Sequence, residues 1–120
     1  SGQYAPVMSI FKRQKENKEP LSIVEPGYQT RDFVHVSDVV YANVLASQRE
    51  LETYGEVFNI GTGEGTEIQT IADLVSDYQI MIPARQGEVM HSRANIDKVQ
   101  ETLGWKWSVK VVDWIRKNLK

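Results

Sequence analysis

The chain has 120 residues, a size that fits one domain with a modest core. Its 14 Lys+Arg against 16 Asp+Glu give a formal charge of -2, which argues against nucleic acid as a partner. The lack of cysteine excludes disulfides and thiolate metal sites and is compatible with a reducing cytoplasm, the expected location.

Ser1-Gly2 reads as the remnant of a cleaved tag, which leaves residues 3–120 as a single domain. No run is long and apolar enough to cross a bilayer, and no secretory leader pattern stands in these residues. Val7 to Asn17 predicts a helix with a narrow apolar stripe of Val7, Ile10 and Phe11. Pro20 closes it, Leu21-Ser22-Ile23-Val24 is a short strand, and Glu25-Pro26-Gly27 is a turn.

Thr30 to Val36 predicts a second strand, with Arg31, Phe33 and His35 on one face and Asp32, Val34 and Val36 on the other. Ser37 is the expected N-cap of a helix running to about Gln48, with Asp38 favourably placed in its first turn. Val40, Val44, Ala42 and Ala46 cover much of that helix, so it is expected to be well buried. Glu56 to Ile60 predicts a third strand, followed by the loop Gly61-Thr62-Gly63-Glu64-Gly65. Thr66 and Gln69 have capping-box spacing before a helix with Ile68, Ile71, Ala72, Val75 and Tyr78 at helical intervals. Ile80-Met81-Ile82 is a further strand. Asn95 starts a short helix that ends at Leu103-Gly104, and a last helix covers Val111 to Leu119.

The glycine-rich loop follows a strand and opens a helix, as a dinucleotide fingerprint does. Its third glycine is Gly65, whereas the G-x-G-x-x-G spacing requires one at 66, which is threonine. A tight strand-to-helix turn is the better reading. Arg31 is either a solvated edge residue or an anion ligand whose planar fork suits a diphosphate. His35 and His91 lack metal-ligand spacing. A His35/Ser37/Asp38 triad is not expected, because near neighbours in one segment point apart. Trp105, Trp107 and Trp114 read as core residues rather than as a sugar-stacking platform.

Four stretches together carry a resemblance: Gln29-Thr30-Arg31-Asp32-Phe33-Val34-His35-Val36-Ser37-Asp38-Val39-Val40, Glu56-Val57-Phe58-Asn59-Ile60-Gly61-Thr62-Gly63, Arg85-Gln86-Gly87-Glu88 and Leu103-Gly104-Trp105. Their order resembles the carboxy-terminal, substrate-binding portion of the NAD-dependent nucleotide-sugar epimerases and dehydratases. These are extended short-chain dehydrogenases/reductases, and the UDP-glucose and UDP-N-acetylglucosamine 4-epimerases are the most similar branch. Heptose-nucleotide epimerases and sugar-nucleotide dehydratases remain alternatives.

The resemblance implies an α/β or α+β fold of short strands with about five helices. It implies that Arg31 and Arg85 hold the nucleotide diphosphate and that Glu88 accepts from the ribose hydroxyls. Ser22 and Val24 would line the base, where an aromatic residue is common in the family. Ser92 would border the 2-substituent of the sugar and leave room for an N-acetyl group. Gln86 replaces the usual proline, Glu25-Pro26-Gly27 the usual Gly-Asp-Gly, and Trp107 a common proline.

The family's Tyr-x-x-x-Lys pair and its amino-terminal dinucleotide fingerprint do not occur in these 120 residues. No catalytic residue is therefore assigned. NAD is expected in full-length relatives rather than on this chain. The expected ligand is a UDP-sugar. The expected protein partner is a Rossmann-domain half or another copy of the chain, and neither nucleic acid nor membrane. A self-associating interaction module is the alternative to a ligand-binding one.

Overall fold

The computed structural model describes residues 4, 6–48, 58–84, 86–87 and 89–119. Helix α1 is Pro6–Glu16, followed by strands β1 (Leu21–Val24) and β2 (Thr30–Arg31) and helix α2 (Val36–Ser47). Strand β3 (Thr66–Glu67) leads directly into helix α3 (Ile68–Val75), and β4 (Gln79–Ile82), α4 (Asp97–Leu103) and α5 (Val111–Asn118) complete the order. Among the described residues, five helices and four short strands make a mixed α/β fold, as expected.

Strand β1 pairs in parallel with β4, from Leu21 opposite Gln79 to Val24 opposite Ile82. Its alternation divides two duties. Leu21 and Ile23 are fully buried, while Ser22 and Val24 are half-buried on the other side. Leu21 and Ile23 join Tyr4, Met8, Phe11, Phe33, Ile71, Val75 and Ile115 in the main core. A second cluster holds Ala42, Val99, Leu103 and Trp105, with Leu45, Phe58 and Trp107 packed on it. The core reading of the tryptophans therefore holds: Trp105 is fully buried, Trp107 packs on its cluster and Trp114 on the main core.

The second strand is shorter than expected. It stops at Arg31, because β3 offers only Thr66 and Glu67 as antiparallel partners. Beyond Arg31 the chain leaves the ladder, and the Asp32 carboxylate engages a loop instead of lying on a sheet face. Helix α2 consequently begins at Val36, and its N-cap is His35 rather than Ser37. The His35 Nδ1 accepts from the Ser37 backbone N–H at 3.1 Å, meeting one of the unpaired donors at the helix start.

Helix α2 is also less buried than its apolar content suggests. Asp38 and Ala42 are its buried residues, while Val36, Val40, Tyr41 and Val44 are exposed. Helix α3 begins without the expected capping box, as its N-cap is Glu67 and makes no side-chain cap bond. The carbonyls of Gln29 and Gly27 take the Ile68 and Gln69 N–H groups, at 3.0 and 2.8 Å. Two backbone acceptors from another segment thus replace the Thr66 hydroxyl, and Thr66 itself is paired in β3. Tyr78, expected on the apolar face of this helix, lies beyond its end and is exposed.

Asn95 does accept from the Asp97 N–H, at 3.1 Å, although Ile96 is the capping residue of α4. Gly104 ends that helix in the left-handed conformation. Of the expected Glu56–Ile60 strand, Phe58–Ile60 are described and lie in no strand. Glu56 and Val57 lie outside the described residues, as do Ser1, Gly2, Arg85 and Glu88.

Candidate functional site

The outward side of β1 supplies one wall of a cleft of about 780 Å³. Ser22 and Val24 line it, together with Arg31, Ser92, Arg93 and Asn95. Ile82 adds to the apolar wall, because parallel pairing sets it beside Val24. The Ser22 hydroxyl is positioned from behind. Gln14 of α1 donates its Nε2 to Ser22 Oγ at 2.9 Å, and its Oε1 accepts from the Ser22 N–H at 3.1 Å.

Arg31 reaches the cleft because β2 is tied on both edges. Strand β3 lies along one edge. On the other, Thr30 N–H donates to the Met90 carbonyl at 2.8 Å, and Ser92 N–H donates to the Thr30 carbonyl at 3.1 Å. That parallel bridge brings Ser92 alongside Arg31 across 61 positions of sequence. The Arg31 guanidinium is steadied by donating Nη1 to the Thr30 carbonyl at 2.7 Å. Four of the six expected binding residues, Arg31, Ser22, Val24 and Ser92, thus line one cleft. The other two, Arg85 and Glu88, lie outside the described residues.

The floor of the cleft is held by Asp32. Its Oδ1 accepts from Thr62 N–H at 2.9 Å and from Thr62 Oγ1 at 2.8 Å. Its Oδ2 accepts from Gly63 N–H at 2.9 Å and Ala94 N–H at 3.0 Å. Gly61 can carry no side chain in this arrangement, since a Cβ there would come within 2.6 Å of Ala94 Cβ and 2.8 Å of Asp32 Oδ2.

These bonds also decide the glycine-rich loop. In a dinucleotide site the loop N–H groups face a pyrophosphate. Here the Thr62 and Gly63 N–H groups are spent on Asp32, and the first N–H groups of α3 are spent on Gln29 and Gly27. The loop does not fit the pyrophosphate of NAD.

Gln29 is a residue that sequence reasoning missed. It is buried, its Oε1 accepts from Gly27 N–H at 2.7 Å, and its Nε2 donates to the Val24 carbonyl at 2.9 Å. It closes the turn between β1 and β2 from inside and so sets the distance between Val24 and Arg31. Arg93 and Asn59 were also missed as lining residues. Asn59 stands within a recognised motif and Arg93 follows Ser92 directly, which was their signal.

His35 and Ser37 do meet, with Nδ1 and Oγ 2.8 Å apart, contrary to the expectation that they point apart. The triad still fails at its acid. The Asp38 carboxylate turns inward, where Ser108 N–H, Ser108 Oγ and Val109 N–H donate to it at 3.1, 3.0 and 3.1 Å.

Residues 2–61 of the sequence match the NAD dependent epimerase/dehydratase family. The chain belongs to that family. Within the family, this chain is 31% identical over 117 residues to the dTDP-L-rhamnose 4-epimerase of Burkholderia thailandensis, covering 91% of this chain and 32% of that protein. It superposes with a TM-score of 0.83 at 34% identity on the UDP-glucose 4-epimerase of Thermotoga maritima solved with UDP-glucose, covering 96% of this chain and 38% of the other. It superposes with a TM-score of 0.82 at 25% identity on the UDP-N-acetylglucosamine 4-epimerase of Methanobrevibacter ruminantium, solved with UDP-N-acetylmuramic acid, covering 99% and 39%. This epimerase-family chain therefore spans less than half the length of the relatives it matches. Among its described residues, no helix is long and apolar enough to cross a membrane.

Proposed function

We propose that this chain is the nucleotide-sugar-binding portion of an NAD-dependent 4-epimerase, taking UDP-hexoses or UDP-N-acetylhexosamines and binding without catalysing. The observation that carries the reading is the convergence of Ser22, Val24, Arg31 and Ser92, from three separate segments, on one cleft. Arg31 pairs with the diphosphate through charge-assisted, bidentate bonds. Val24 and Ile82 cover one face of the base with aliphatic surface, and Ser22 offers it a hydroxyl. Ser92, being small, leaves space beside the sugar for a 2-acetamido group. Arg85 and Glu88 complete the site on the phosphate and ribose. The 120 residues contain no Tyr-x-x-x-Lys pair, so their part is to bind and orient the ligand.

A two-dimensional NMR titration with UDP and then UDP-N-acetylglucosamine, on wild type and Arg31→Ala, tests this. Saturable shifts at Val24, Arg31 and Ser92 that vanish in the variant are the expected result. A well-folded wild type whose resonances ignore both ligands at millimolar concentration would overturn autonomous binding.

A further inference from the structure

Arg93 lines the cleft together with Arg31, yet no contact proposed above gives it a part. Its backbone is pinned on both sides. The preceding Ser92 N–H donates to the Thr30 carbonyl at 3.1 Å, and the following Ala94 N–H donates to Asp32 Oδ2 at 3.0 Å. The side chain is exposed and has no hydrogen-bond or ion-pair partner among the described residues. Asp32, the carboxylate of the described lining, has nothing left to offer it. Four donors already fill the roughly four lone-pair sites of its two oxygens. The cleft wall therefore presents a guanidinium at a fixed point of the backbone, with no acid from the described residues to neutralise it.

Hydrogen bonds along Gln29 to Asp32 set three stations down the cleft. Gln29 bonds the carbonyl of Val24, at the aliphatic wall read above as the base contact. Thr30 and Arg31 follow, with Ser92 bonded to the Thr30 carbonyl. Asp32 comes last, bonded to Ala94. A run of that length spans at most about 10 Å. Base, diphosphate and sugar follow one another in a nucleotide sugar in the same order. Arg93, between Ser92 and Ala94, belongs to the third station, where the hexose stands in the proposed reading. Neutral hydroxyls are served there by serine and asparagine. A guanidinium is matched by a planar carboxylate, which accepts two of its N–H bonds side by side.

We propose that Arg93 is a specificity-determining residue that selects nucleotide sugars whose hexose carries a carboxylate over their neutral counterparts. The inference rests on the ligand reading of the cleft and adds to it the charge of the sugar. Arg31 serves the diphosphate common to every such ligand, whereas Arg93 acts only where the hexose is acidic.

The test is a set of NMR titrations of the 120-residue chain as wild type, Arg93→Gln and Arg93→Lys. The ligands are UDP and two matched pairs. UDP-glucose is paired with UDP-glucuronic acid, which bears its carboxylate at C6. UDP-N-acetylglucosamine is paired with UDP-N-acetylmuramic acid, which bears it on a lactyl ether at O3. Wild type is expected to bind at least one acid about 5- to 10-fold tighter than its neutral parent, and the pair that shows the preference locates the carboxylate. Arg93→Gln is expected to abolish the preference and leave UDP affinity unchanged, and Arg93→Lys to keep part of it. Equal binding of acid and parent by wild type, in both pairs, would overturn the inference and leave the ligand reading standing. So would a loss of UDP affinity in Arg93→Gln as large as the loss for the acid, because Arg93 would then belong to the diphosphate. A folded wild type that ignores every ligand would overturn the ligand reading and this inference with it.

Discussion

The indole Nε1 of Trp105 donates to the backbone carbonyl of Asp38 at 2.9 Å, while the carboxylate of the same aspartate gathers the Ser108 and Val109 donors. One residue of α2 thus ties the helix to the segment that joins α4 and α5. Both partners are buried. Replacing Asp38 with alanine leaves two backbone N–H groups and a hydroxyl without their acceptor. The expected loss is about 3 kcal/mol in urea denaturation. Ser108→Ala removes only the hydroxyl bond and should cost about 1 kcal/mol.

Gly61 packs against Ala94 and Asp32 with no room for a methyl group. Gly61→Ala should push the loop away from Asp32 and destabilise the fold by about 2 kcal/mol. Pairing it with Ala94→Gly, which removes the nearer obstacle, should recover part of that loss. A double-mutant cycle in denaturant measures the recovery, and strictly additive effects would place the clash elsewhere.

Arg31 is held by its own strand and by the neighbouring Ser92 segment. Under the proposed function, Arg31→Ala should weaken UDP about 10- to 100-fold, the range for losing a charge-assisted pair. Arg31→Lys should recover only part, because an ammonium cannot bond two phosphate oxygens in one plane. Uridine, which lacks phosphate, should bind all three forms equally. Calorimetry with UDP and uridine separates these cases.

Tyr4 is buried against Phe33, His35 and Trp114, and its hydroxyl has no hydrogen-bond partner among the described residues. Desolvation, reinforced by the negative charge of Asp38, pushes its hydroxyl up from 10.0 to about 12. The folded state thus holds this proton more tightly than the unfolded chain does. Stability from this group is intact below pH 10 and falls as pH rises from about 10 towards about 12. Tyr4→Phe should remove that part of the alkaline loss. At neutral pH it should be neutral or stabilise by up to about 1 kcal/mol, since no bond is broken. Thermal melts at pH 7, 10 and 11 check both statements.

Much of this architecture was legible because it depends on local pattern. Leu21 to Val24 was legible as a short strand, and the resemblance marked Ser22 and Val24 as its ligand-facing residues. The spacing of Ile68, Ile71, Ala72 and Val75 announced the buried face of α3. Arg31 and Ser92 were recognisable from the motifs around them, and they do line one cleft. What escaped notice were polar side chains whose partners lie far along the chain. Asp32 was expected on the strand face it would share with Val34 and Val36, yet its four donors come from residues 62, 63 and 94. Gln29 and Asp38 carry no local sign of burial, because their bonds are to backbone groups that only tertiary structure brings near. The exposure of α2 was misjudged for a related reason. Periodicity reports that a face is apolar and is silent about what covers it.

The carboxylate of Asp32 has a kinetic corollary. Three amide protons, from Thr62, Gly63 and Ala94, end on one side chain attached to the strand that bears Arg31. Movement of Asp32 out of its place frees all three amides at once. Their exchange with deuterium should therefore proceed at a shared rate set by release of the whole pin, and not at three separate rates. The walls of the cleft would then open together or remain shut together.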